Sequence, residues 1–117
     1  MSDVKRATRV SQRLREELAS ALRELRDPRI AGAAVSRVEM TDDLQLAKVY
    51  VRRLEGDDGA SKAMLKGLEA ASGRLRRDVS RSLGLRYAPT LRFYYDDAPD
   101  AMNRVEEILR EIKRGSD

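Results

Sequence analysis

Cysteine and histidine are both missing from the 117 residues. Their absence removes thiolate chemistry, disulfides, the usual zinc ligand sets and the side chain that most readily exchanges protons near neutrality. Neither GxxxxGKS/T nor GxGxxG occurs, so no familiar nucleotide cradle is present. These absences argue against an enzyme and predict no cofactor, no bound metal and no small-molecule substrate. Aromatics make up only 4% of the chain, which limits the core to a thin aliphatic one. No stretch approaches the roughly 20 apolar residues a membrane span needs, and Met1 to Arg6 lacks an apolar signal region. The expectation is a protein that stays away from the membrane, in the cytoplasm, a reducing compartment that the lack of cysteine fits.

What is present is enough for one core: 41% hydrophobic residues under a surface drawn from 38% charged ones. A chain of this length suits one domain over residues 1–117, with 1–3 and 114–117 frayed. The net charge is +4, but residues 60–95 alone carry eight basic and two acidic side chains, an excess of +6. A polyanion would select such a concentration, because each phosphate neutralised by Lys or Arg releases condensed counterions. A solvated helix surface would look the same on charge alone.

After Ser2 or Asp3, either a suitable N-cap, apolar residues recur at Val10, Leu14, Leu18, Leu22 and Leu25, one helical stripe over about 4–26. Pro28 and Gly32 close it. Ala34–Met40 and Leu44–Arg52 read as strands joined by the turn residues Thr41-Asp42-Asp43, an antiparallel hairpin with Lys48, Tyr50 and Arg52 on its polar face. From Ala60 to Leu83 the phase of Leu68, Leu75, Val79 and Leu83 is helical throughout. Gly73 lies in the middle, where an interior glycine costs about 1 kcal/mol, and Ser72 competes for backbone hydrogen bonds. That pair predicts an interruption. Gly84 stands where a helix C-cap belongs, Thr90–Tyr95 alternates as a third strand, and Ala101, Val105, Ile108, Leu109 and Ile112 outline a last helix beginning around Pro99. The order helix, strand, strand, helix, helix, strand, helix describes an α+β domain.

On a helical wheel Arg74, Arg77 and Arg81 fall together, opposite Leu75, Val79 and Leu83. Arginine in place of lysine favours phosphate binding, since its planar fork matches phosphate in a bidentate way. Asp78 neutralises part of the charge. Arg6, Arg9 and Arg13 form a second row, interrupted by Glu16 and Glu17, for which a solubilising face is the simpler reading. Tyr50 and Tyr94 among Lys48, Arg52 and Arg92 resemble a base-stacking surface, although two tyrosines on strands are more often cross-strand packing than a stacking platform. The pairs Asp42-Asp43, Asp57-Asp58 and Asp96-Asp97 sit at expected turns, where local hydrogen bonding favours Asp.

These residues also carry a resemblance. Arg9-Val10, Glu17-Leu18-Ala19, Asp27-Pro28-Arg29, Asp43-Leu44 and Ala47-Lys48-Val49-Tyr50-Val51 occur in order. Leu68 follows with Ala71-Ser72-Gly73-Arg74-Leu75-Arg76, then Leu85-Arg86 with Pro89, Leu91, Phe93 and Asp96. Over about residues 6–96 the sequence resembles the ribosome-binding factor A family. The resemblance implies a type II KH-like domain, a three-stranded sheet with helices on one face. It implies an Ala-x-Gly kink at Ala71, Ser72 and Gly73 in place of the GxxG loop of ordinary KH domains. The implied role is that of an RNA-binding, non-catalytic assembly factor of the small ribosomal subunit, assisting late maturation of its precursor rRNA and associated with growth in the cold. The residues expected to meet RNA are Arg74, Arg76, Arg77, Arg81, Arg6, Arg9, Arg13 and Lys48, in a protein acting as a monomer. The alternative is a protein-interaction adaptor using amphipathic basic helices.

Overall fold

Leu14, Leu18 and Leu22 stand one helical turn apart and are all buried, so the first helix is held by a single stripe rather than by its own propensity. The computed structural model describes residues 3–53, 58–96, 109 and 112. Within them run α1 (Asp3–Glu24), β1 (Ala33–Met40), β2 (Leu46–Arg53), α2 (Asp58–Leu83) and β3 (Thr90–Tyr95). The strands lie in the order β1-β2-β3; β1 and β2 are antiparallel, whereas β2 and β3 are parallel, the connection being made by α2.

Period-two alternation sends Ala47, Val49 and Val51 of β2 into the core with Val35 and Leu91 from its neighbours. There they meet Leu14, Leu18 and Leu22 of α1 and Met64, Leu68, Leu75 and Val79 of α2 in one cluster. Both helices therefore cover the same sheet face, as the expected α+β, KH-like arrangement requires. Between Val35 and Arg37 the register shifts: Val35 faces Val51, and Arg37, not Ser36, faces Tyr50. Ser36 is the extra residue of a bulge.

The expected interruption at Ser72-Gly73 is corrected by the structure. α2 is helical without a break from Asp58 to Leu83, and Gly73 is not among the residues with positive φ. Met64 and Leu68 before it and Leu75 and Val79 after it are buried on the same side. Burying four such side chains, at about 1.5–3 kcal/mol each, outweighs a glycine penalty of about 1 kcal/mol.

Two other glycines do have backbone work. A Cβ on Gly67 would lie 3.0 Å from Ile30 Cγ1 and 3.2 Å from Arg29 Cβ, so glycine lets the turn after α1 rest directly on α2. Gly84 adopts φ +65°; its N–H donates to Arg81 O and that of Leu85 to Ser80 O, the paired bonds of a Schellman cap. The expected C-terminal helix lies outside the described residues except for Leu109 and Ile112, which are helical and exposed.

Candidate nucleic-acid interface

Helical phase positions the arginines of α2. Arg74, Arg77 and Arg81 are exposed while Leu75 and Val79 on the opposite side are buried. The three are not equivalent. Arg74 Nε lies 3.7 Å from Asp78 Oδ2, and both residues line a small cleft whose α1 wall carries Glu17 and Glu24. Arg74 is thus paired with Asp78 and shares its cleft with Glu17 and Glu24, whereas Arg77 and Arg81 form no ion pair among the described residues.

Arg76 stands apart from this row. It lies on the flank of the buried stripe, and its Nε and Nη2 donate to Pro89 O at 2.9 Å and Ala88 O at 3.1 Å. Two of its five N–H donors are therefore committed to the segment that leads into β3. The Ala71, Ser72 and Gly73 segment is part of the uninterrupted helix, and nothing lies within 4 Å of where a Gly73 Cβ would be.

Arg6, Arg9 and Arg13 are exposed on the side of α1 away from Ala7 and Leu14. The cleft between the helices is lined from α1 by Glu17, Ser20, Ala21 and Glu24, so it does not bring the two arginine rows together. Arg6 instead reaches a different concavity, of about 660 Å³, formed with the β1–β2 turn and the segment from Leu85 to Thr90.

The open sheet face carries Lys48, half-buried, beside Glu39 on β1 and Arg92 on β3. Tyr50 stacks on Tyr94 with ring centroids 5.5 Å apart and 28° between planes. On the β1 side the guanidinium carbon of Arg37 stands 4.1 Å from the Tyr50 centroid. Arg37 also pairs with Glu39, Nη1 to Oε1 at 3.4 Å. With one partner from each neighbouring strand, Tyr50 has no face left for a base. The cross-strand packing reading of the two tyrosines therefore holds for it.

Two carboxylates are held below their ordinary range. The Arg29 side chain lowers Asp27 by hydrogen bonding, with the closest contact 2.7 Å from Nη2 to Oδ2, and the Arg29 backbone N–H adds to this. Asp43 is lowered by the Thr41 hydroxyl, 2.7 Å from Oδ1, and by the Gln45 amide. Both acids thus serve turns. Among the described residues no group of three acidic side chains is placed to hold a metal ion, and no helix is long and apolar enough to cross a membrane.

Arg37, Arg86 and Tyr87 escaped the sequence reading as members of any site. Arg86 and Tyr87 had a signal, a bulky pair between a cap glycine and a proline; Arg37 had none without the bulge at Ser36.

Residues 6–109 match the family model described as ribosome-binding factor A. A ribosome-binding factor A of Sorangium cellulosum is 70% identical over 115 residues, 97% of this chain and 93% of that relative. The crystal structure of ribosome-binding factor A from Thermus thermophilus superposes with a TM-score of 0.66 at 28% identity, covering 76% of this chain and 94% of that one. A Thermus thermophilus homology model fitted into the cryo-EM map of a 30S complex of that factor gives a TM-score of 0.61 at 30% identity, over 73% and 89% of the two chains. With arginines on an exposed helix face, a covered three-stranded sheet and this agreement over nearly its whole length, the chain belongs to the ribosome-binding factor A family.

Proposed function

We propose that this protein binds the small ribosomal subunit and assists late maturation of its precursor rRNA, acting by binding and without catalysing a reaction. The observation that carries the reading is the fitted 30S complex of the Thermus thermophilus relative, whose fold this chain shares at 30% identity. The exposed Arg77 and Arg81 on α2, with Arg74 paired to Asp78, supply the kind of surface an RNA backbone selects. In this reading the chain works as one domain and as a monomer in the cytoplasm. Co-sedimentation with purified small subunits, large subunits and assembled ribosomes tests it. Selective recovery with the small subunit or its precursors is expected; equal recovery with large subunits would reduce the interaction to unspecific cation binding. Steep loss of binding with added salt separates RNA contact from the adaptor alternative, in which an apolar helix face fills a groove.

A further inference from the structure

The segment from Gly84 to Thr90 does more than connect α2 to β3. It forms one wall of the concavity of about 660 Å³, with the β1–β2 turn and the first turns of α1 completing it. That volume lies within the range of about 300–1,000 Å³ typical of small-ligand sites. Tyr87 stands at this wall 74% exposed, more than any other large apolar or aromatic side chain among the described residues.

The segment that carries the ring is fastened at both ends. The Gly84 cap holds one end, and the other is held by Arg76 through the carbonyls of Ala88 and Pro89. Tyr87 is thus presented to solvent on a braced support, which lowers the ordering cost of any ligand that stacks on it. The Arg86 guanidinium takes one side of the ring, 5.3 Å from its centroid. The other side is available.

The charges around the ring suit a phosphodiester. Arg6 and Arg86 both line the concavity and neither forms an ion pair among the described residues. Among the described residues Asp43 is the one acid at the wall, and its Oδ1 already accepts from Thr41 Oγ1 and the Gln45 N–H. Two guanidiniums against one turn-bound carboxylate leave a positive site beside an open aromatic face. Unstacked bases of single-stranded RNA meet both requirements together, whereas a duplex keeps its base faces stacked.

We propose that this concavity takes one nucleotide of single-stranded RNA, its base stacked on the open face of Tyr87 and its phosphate held by Arg6 and Arg86. The inference rests on the RNA-binding reading above and adds a base-contacting site apart from the α2 arginines.

The chain contains no tryptophan, so Tyr87→Trp supplies a single reporter. Short oligouridylate and oligoadenylate are expected to quench its emission saturably. In the otherwise native protein, Tyr87→Ala should weaken oligonucleotide binding about 5- to 150-fold, the range for loss of one stacked base. Tyr87→Phe should retain binding, and the thermal midpoint of each variant should stay put because the ring is exposed. Arg6→Ala and Arg86→Ala should each flatten the salt dependence by about 0.7 in the log–log slope. Oligonucleotide binding without quenching, or native affinity in Tyr87→Ala, overturns the site. Equal quenching by inorganic phosphate overturns the base contact. Small-subunit sedimentation of the unsubstituted protein is run alongside: its failure overturns the RNA-binding reading itself, while its success with an indifferent Tyr87 overturns this site alone.

Discussion

Arg37 and Tyr50 face each other across β1 and β2, the guanidinium carbon 4.1 Å from the ring centroid. With Tyr94 on the other flank the three side chains form a row across all three strands. Such a row ties the sheet together. The stacked pair contributes about 0.5–1.5 kcal/mol and the cation over the ring about 0.5–1 kcal/mol.

Tyr50→Ala should therefore lower unfolding free energy by about 1–2.5 kcal/mol, read from urea melts. RNA affinity per folded molecule should change little. Loss of RNA affinity at an unchanged midpoint would make the sheet face, in place of the α2 arginines, the main binding surface.

Gly73→Ala should stabilise the protein by up to about 1 kcal/mol, because the residue is helical and open space surrounds it. Gly67→Ala should destabilise it, since the new Cβ must push Ile30 Cγ1 and the backbone-proximal Arg29 Cβ away. Paired thermal melts decide both. A lower midpoint for Gly73→Ala would restore a conformational demand at that position.

On α2, Arg77→Ala with Arg81→Ala should flatten the slope of log affinity against log salt by about 1.4–1.8. Adding Arg74→Ala should change it by less than one further contact, because Asp78 already pairs with that guanidinium and Glu17 and Glu24 line the same cleft. The midpoint should barely move in any of the three. Arg76→Ala should behave the opposite way, with a lower midpoint from two orphaned carbonyls and an unaltered salt slope. A flattened slope in Arg76→Ala would return it to the interface.

With no histidine in the chain, no side chain of ordinary pKa near 6.5 titrates between pH 5 and 8. Asp27 and Asp43 have folded pKa values below their unfolded ones. The stability they contribute is thus complete above the unfolded value of about 3.9 and is lost as pH falls through the folded values. Thermal midpoints should be nearly flat from pH 7 to about 5 and decline below about 4. In the double variant Asp27→Asn with Asp43→Asn the acid decline should be shallower; an identical decline would place the acid-sensitive carboxylates elsewhere.

The helices and the buried faces of the strands were legible because their periods are local. Leu14, Leu18 and Leu22 announce α1 four residues at a time, and Ala47, Val49 and Val51 announce the inner face of β2. The shared side of Arg74, Arg77 and Arg81 followed from the same arithmetic. Three features were not legible. The bulge at Ser36 swings Arg37 outward opposite Tyr50, and no local pattern marks the extra residue. The commitment of Arg76 depends on carbonyls twelve and thirteen residues away. The concavity beside Tyr87 draws its walls from three distant segments. Gly73 points the other way: its low helix propensity suggests a break, and the burial of Met64, Leu68, Leu75 and Val79 that overrides it belongs to the tertiary fold.

The parallel pairing of β2 with β3 also sets an order of assembly. β1 and β2 are joined by residues 41–45 alone, and Thr41 binds both the N–H and the carbonyl of Leu46 across that turn. This hairpin can close early, on the timescale of short loops. β3 has no such neighbour: residues 54–89, with α2 among them, separate it from β2, and its first amide donates to Gln45 O just ahead of that strand. Until β3 docks, the edge of β2 that it covers is an unpaired ladder, so that interval is when the nascent chain is open to the wrong strand.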